Sequence, residues 1–300
     1  MPYKVVIHPK PTATDADRGV TFYASINNAK DFKIGTCLYY KKEGRYGLSN
    51  YETFFPYSAA EYEDEYKFWA QFIDPTAYCE SQRAFECVNS YDSAKFTFGA
   101  FQFAAHVPDG DFVQWTRAML GLPDAKEHFP DLRVQNGRVQ GLQNGSWVQL
   151  ESKQSSQGLM DYFNANSAGI ELSEAERTAR MIHWARNSQS SRDLQVRVML
   201  DTAVKLLGQV DSTVALTGQP DFICCAAMDI RHQGRGSATA IAKAIKAGGG
   251  SEAILDRLLD IGDTKRNGQL RGQIKTKRKE GIFGKRKYDA SKKDFVPIES

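Results

Sequence analysis

The stretch that most narrowly limits the fold runs from Leu132 to Leu150, LRVQNGRVQGLQNGSWVQL. Two Asn-Gly pairs, Asn136-Gly137 and Asn144-Gly145, separate short segments in which apolar and polar residues alternate. Asn-Gly favours the tight hairpin turn whose two central residues both take positive φ. Alternation with a period of two is the mark of a strand with one covered face. The spacing therefore predicts a three-stranded antiparallel meander over residues 131–151, set in a chain whose other periodicities are mostly helical.

The N-terminal residues 1–50 read as a β-rich segment. Tyr3 to His8 and Val20 to Ser25 are β-branched and aromatic, and Lys33–Tyr40 and Tyr46–Leu48 flank a hairpin loop at Lys41–Arg45. From Ala59 to Ile73 the pattern turns helical, with Tyr62, Tyr66, Trp69, Ala70 and Ile73 on one face and the acidic residues on the other. Asp74 suits an N-cap and Pro75 a first helical position, which predicts a new short helix that ends near Glu80. Ala100 to Ala105 reads as a buried helix of small residues, and Phe112 to Leu120 as another, stopped by Gly121-Leu122-Pro123. After Ser155 the chain reads as helical to its end, with Phe222–Ile230 apolar enough to be a buried central helix and Gly234 and Gly236 breaking it. The fold class is thus α+β, mainly α, with a second region over residues 51–300.

Composition excludes several classes. At 41% hydrophobic and 25% charged, the chain has the balance of an ordinary globular protein. No apolar run approaches the ~18 residues of a membrane-spanning helix, so no membrane span is expected. The N-terminus has no apolar core or small-residue cleavage site, so no secretory signal is read there. The five cysteines (Cys37, Cys79, Cys87, Cys224, Cys225) and five histidines show no metal-ligand spacing, and free thiols are expected. No metal and no cofactor is predicted. There is no Gly-x-Ser-x-Gly, and Gly234-Arg235-Gly236-Ser237 lacks the rest of a phosphate-binding loop, which leaves a joint between helices. The net charge of +3 is small but uneven, acidic over Glu61–Glu65 and densely basic over residues 265–293. A basic run is most simply a solvated face; its sharper reading is attraction to an anionic polymer. Sparse aromatics in that run argue against nucleic acid.

The chemistry-bearing stretch is Asp74 to His106, with Glu80, Glu86 and Asp92, a Phe98-Gly99 pair and Gln102. Glu80-Ser81, a polar loop, and then Phe98-Gly99-x-x-Gln102 resembles the signature of goose-type lysozymes and soluble lytic transglycosylases, in which a Glu-Ser pair ends one helix and Gly-x-x-Gln opens the next. Ala100-Phe101 stands where that family usually has Leu-Met, which keeps both positions apolar. The resemblance covers about a tenth of the chain. It implies a lysozyme-like helical lobe beside the meander, with Glu80 as catalytic acid. Glycosidic cleavage needs a protonated acid on the leaving oxygen, and either a base that activates water, a nucleophile, or a substrate group that attacks. Tyr78, Phe85 and Phe98 are apolar neighbours in sequence that would keep a carboxyl protonated; the plain alternative is a surface glutamate at a helix end. Asp92 is the candidate base, or else a turn residue in Asn89-Ser90-Tyr91-Asp92-Ser93. Glu86 is the rival acid, because Glu86, Tyr91, Asp92, Thr97 and Gly99 resemble the order found in phage-type lysozymes at a shorter spacing. Tyr91, Thr97, Phe98 and Gln102 are expected to line the cleft or, more simply, to pack.

The resemblance thus implies a muramidase that cuts the β-1,4 bond between N-acetylmuramic acid and N-acetylglucosamine in peptidoglycan. A lytic transglycosylase, a chitinase- or chitosanase-like glycosidase, and a non-catalytic glycan-binding structural component are the alternatives. Without a signal, such an enzyme is expected to be made in the cytoplasm and carried to the cell wall or periplasm by a phage apparatus or a contractile (type VI) secretion system. An antibacterial effector of that kind implies an immunity protein as partner.

Overall fold

The computed structural model describes residues 1–8, 18–166 and 168–299. Four strands open the chain: β1 (Val5–His8), β2 (Thr21–Ile26), β3 (Phe32–Tyr40) and β4 (Arg45–Asn50). Helices α1 (Ala59–Tyr66) and α2 (Phe68–Ser81) precede three short strands, β5 (Val88–Asn89), β6 (Thr97–Phe98) and β7 (Phe103–Ala104). Then come α3 (Asp111–Met119), α4 (Ala125–His128), and the strands β8 (Leu132–Gln135), β9 (Arg138–Gln143) and β10 (Ser146–Gln149). Helices follow: α5 (Gln157–Phe163), α6 (Leu172–Asn187), α7 (Gln189–Asp211), α8 (Asp221–His232), α9 (Ala238–Lys246), α10 (Gly250–Leu259) and α11 (Thr264–Lys279). The hairpin β11 (Arg286–Asp289) and β12 (Asp294–Pro297) ends the series. Helix outweighs strand, 44% against 19%, which makes this a mixed α+β protein with a helical majority.

Two compact units divide the chain, one of Met1–Pro56 with Ala84–Val198, the other of Tyr57–Arg83 with Met199–Ser300. The boundary expected near residue 50 is not where the contacts part. In the first unit a seven-stranded antiparallel sheet runs in the order β1 to β7, and Ser49 of β4 pairs with Asn89 of β5. An unpaired strand edge seeks a partner, and β5 supplies it from beyond the first helix pair. Helix α6 packs on β1, β2 and β3. Phe96, Phe98, Phe103, Phe112, Trp115 and Phe163 form a buried aromatic core.

The helix expected over Ala100–Ala105 is instead a hairpin turn between β6 and β7, with Phe98 paired to Phe103. Gly99 (φ +90) and Gln102 (φ +49) take left-handed backbone, which a continuous helix through these positions does not allow. The cause is tertiary: the buried Gln195 accepts from Ala100 N at 3.0 Å and donates to Phe85 O at 3.2 Å. A Cβ on Gly99 would lie 2.1 Å from Gln195 Oε1. The Gly-x-x-Gln element here closes a turn and opens no helix.

The meander β8–β9–β10 forms as the sequence predicts, with positive φ at Asn136, Gly137, Asn144 and Gly145. Gly47 in β4 meets the Ser90–Tyr91 peptide so closely that a Cβ would lie 2.3 Å from backbone atoms. Backbone cannot swing aside as a side-chain tip can, so Gly47→Ala is expected to cost about 1–3 kcal/mol as overpacking. A lowered urea midpoint at unchanged slope would register it.

The second unit is helical. Its expected first helix over Ala59–Ile73 is broken at Lys67 (φ +52), and α2 then runs unbroken through Asp74-Pro75 to Ser81. Asp74 is therefore no N-cap. It is buried, and it accepts from Arg83 at 2.5 and 2.8 Å and pairs with Lys277 Nζ at 2.8 Å. Helix α8 is buried from Asp221 to Ile230, as its apolar run predicts. Residues 286–299 are not helical: Tyr288 and Phe295 of the β11–β12 hairpin are buried, and Phe295 packs on Phe68, Trp69 and Phe72. Two inward aromatics among lysines gave too short an alternation to be read as strands.

Candidate functional site

The structure distributes the predicted site residues over both units. Glu80 lies in the last turn of α2 in the helical unit, one residue before Ser81. Its Oε1 is 2.9 Å from Arg266 Nη2 on α11 and 3.8 Å from His232 Nε2 at the end of α8. The same Arg266 nitrogen is 2.8 Å from Asp229 Oδ1. Two carboxylates thus share one guanidinium. Asp229 is fully enclosed, whereas the Glu80 side chain keeps 17% of its surface exposed. Asp229 was hidden in the apolar run Phe222–Ile230, where a lone carboxylate was the one signal of a buried partner. Beside Glu80, burial pushes the Cys79 thiol up to about 12, so this thiol is unreactive at neutral pH. All five cysteines are free.

The other predicted residues lie in the sheet unit. Glu86 is fully buried: Oε1 accepts from Phe54 N at 3.0 Å, Oε2 from Thr53 Oγ1 at 3.3 Å, and Arg186 Nε lies 3.5 Å away. These contacts anchor residues 53–54 and leave no carboxyl oxygen open to solvent. Phe98 is buried in the aromatic core, stacked on Phe96 and Trp115. Thr97 donates to Asn89 O at 3.1 Å. Gln102 Nε2 donates to Gly99 O at 2.9 Å, and its Oε1 accepts from Asn89 Nδ2 at 2.7 Å. Asn89 also donates to Tyr51 Oη at 3.2 Å. Asn89 and Tyr51 join the cluster only through the β4–β5 pairing, which sequence reading missed.

Asp92 and Tyr91 sit on the loop between β5 and β6. Burial raises the Asp92 carboxyl above the ordinary aspartate value, although Ala94 N donates to its Oδ1 at 3.0 Å. Burial and the neighbouring Tyr51 raise the Tyr91 phenol. Asn164 holds the loop at both ends, donating to Ser90 O at 2.8 Å and to Lys95 O at 3.0 Å.

A further carboxyl, absent from the sequence reading, supports the same loop. Glu174, in the first turn of α6, is buried and bonded to Ser90 Oγ, which also accepts from Leu48 N at 2.6 Å. Its place in a helix start resembled ordinary dipole complementation. Burial pushes Glu174 up to about 8, against the weaker opposing hydrogen bond from Ser90. In the folded chain it is therefore protonated near neutrality, while in the unfolded chain it ionises near 4.5. The folded state then binds more protons between these values, and stability falls as pH rises from about 4.5 to 8. Glu174→Gln removes that dependence. Its urea midpoint relative to wild type is expected to be higher at pH 8.5 than at pH 5.

Among the described residues, no group of three or more His, Cys, Asp or Glu is arranged to hold a metal ion. No described helix is long and apolar enough to cross a membrane. No protein-family model, curated protein or solved structure matches this chain.

Proposed function

We propose that this protein is a glycoside hydrolase that cuts the glycan strand of peptidoglycan, with Glu80 as the proton donor. The observation that carries the reading is the succession along the chain of a partly exposed glutamate in the last turn of a helix and a short antiparallel hairpin system, β5–β6–β7, bearing Asp92 and Gln102. That succession is in keeping with the resemblance to the goose-type lysozymes, although Gly99-x-x-Gln102 closes a turn where the goose-type pattern opens a helix.

A general acid must hold a proton at working pH. Arg266 alone would favour the ionised Glu80, but Arg266 is divided between Glu80 and Asp229. Of the two carboxyls on this guanidinium Glu80 is the more exposed, which makes it the one placed to pass a proton outward. Asp92 is the proposed base. Glu86 is left out of the chemistry, because both its oxygens are committed to residues 53–54 and it has no exposure. Delivery by a phage or secretion apparatus and neutralisation by an immunity protein belong to the same proposal.

Mass spectrometry of soluble products from purified peptidoglycan tests it. Hydrolysis gives reducing muropeptides. Products lighter by one water, ending in 1,6-anhydro sugars, would assign a lytic transglycosylase and remove Asp92 from the chemistry. The absence of any released sugar would overturn the reading.

A further inference from the structure

Directly after β4, residues 51–56 carry three exposed aromatic rings in five positions: Tyr51 (49% exposed), Phe54 (62%) and Phe55 (46%). Exposed aromatics are not unusual singly, but three together make an apolar patch that asks for an occupant. This segment forms no strand, yet it is held firmly. Glu86 fixes its backbone at Phe54 and its side chain at Thr53. Arg186 lies between two rings, 5.2 Å from the centre of Phe32 and 4.0 Å from that of Phe54. Arg192 lies 4.6 Å from the centre of Phe55. Each exposed phenylalanine thus has one face covered by a guanidinium, so its exposure belongs to the opposite face and the edge.

Burying Glu86 completely to hold an exposed strap is unfavourable unless the strap's position matters, because a buried charge loses its hydration. We propose that Tyr51, Phe54 and Phe55 form a binding platform for an acidic glycan strand, whose sugar rings lie flat on the outer faces of the two phenylalanines. This rests on the glycosidase reading above and names how its polymer is held. A pyranose ring presents an apolar face of C–H groups and a polar rim, which suits flat rings accompanied by polar groups. Here those groups are Tyr51 Oη, held by the buried Asn89, and Gln102, bonded to the same Asn89. A cation behind a ring draws its π density inward, which makes the outer face less negative. Glu52 on the strap is paired with Lys33 at 3.2 Å and Arg186 with Glu86 at 3.5 Å, which leaves Arg192, behind Phe55, as the cation that favours a polymer carrying carboxylates over a neutral one.

Co-sedimentation tests the platform apart from the chemistry. The full chain carrying Glu80→Gln, which keeps the polymer intact, is mixed with insoluble peptidoglycan or with chitin, the neutral control. Phe54→Leu with Phe55→Leu keeps apolar side chains and removes the flat faces, whereas Phe54→Trp alone keeps both. We expect the double leucine chain to bind peptidoglycan at least tenfold more weakly, Phe54→Trp to bind as the parent does, and chitin to bind more weakly than peptidoglycan. Added salt is expected to weaken the peptidoglycan binding. Circular dichroism establishes that each chain is folded, and because both phenylalanines are exposed, leucine should not disturb it. Equal sedimentation of parent and double leucine chains would overturn the platform and leave the strap to a protein partner. A parent chain that sediments in this manner while the wild type releases no sugar would overturn only the hydrolase reading.

Discussion

Replacing Glu80 by Gln is expected to lower sugar release from peptidoglycan by about 10²–10⁴-fold, the usual contribution of a positioned acid, while leaving the fold intact. The second half of this expectation follows from the ionic group around Arg266. Removing one partner of a buried pair normally strands the other charge and is costly. Here Arg266 retains Asp229 at 2.8 Å, and the substitution brings two carboxylates to one guanidinium down to one of each. The glutamine is close to isosteric and has an oxygen that can still accept from Arg266. Unfolding free energies of the two chains should therefore agree to within about 1 kcal/mol, while initial rates of product release differ greatly. Full activity in Glu80→Gln would exclude Glu80 as the acid. A large fall in stability would mean that lost activity says nothing about chemistry. Asp229→Asn makes the complementary comparison, because it leaves Arg266 to Glu80 without the competing carboxylate, which favours the ionised acid, and its rate is expected to fall.

Asp74→Ala is expected to destabilise the helical unit by about 3–5 kcal/mol, the range found when one partner of a buried ion pair is removed. Arg83 and Lys277 converge on this one carboxylate, and the Lys277 side chain is itself buried. Without Asp74 the buried Lys277 and the partly exposed Arg83 lose the carboxylate they share. Burial by itself would raise the Asp74 carboxyl, but the hydrogen bonds from Arg83 and Lys277 outweigh it and hold the group below the ordinary aspartate value. The folded state thus binds this proton less readily than the unfolded chain does. The stabilisation is present in full above the unfolded value near 3.8 and is lost as pH falls below it. Thermal melts should show wild type losing its advantage over Asp74→Ala on acidification and keeping it at neutral pH. An advantage that persists unchanged well below pH 3.8 would contradict the ionic assignment.

What the sequence by itself determined was local. The two Asn-Gly pairs are turn signals whose cause lies within the four residues of each turn, and the meander formed where they put it. The apolar run at Phe222 formed a buried helix because its composition leaves no face for water. What only the tertiary structure decided were the cases in which a distant partner altered a local preference. Asp74-Pro75 has the chemistry of a helix start, yet α2 passes through it, because Arg83 and Lys277 give Asp74 a stronger partner than its own backbone. Ala100–Ala105 has the composition of a helix, yet Gln195 captures the Ala100 N–H and the chain turns back as a hairpin. The candidate site divides in the same way. Glu80, Glu86 and Asp92 were legible as carboxyls in a promising stretch, but their surroundings were not. Arg266 reaches Glu80 from nearly two hundred positions away in the chain, and Arg186 reaches Glu86 from a hundred. Whether a carboxyl holds a proton depends on charge and burial within a few ångströms, and those neighbours are set by packing that no short stretch of sequence contains.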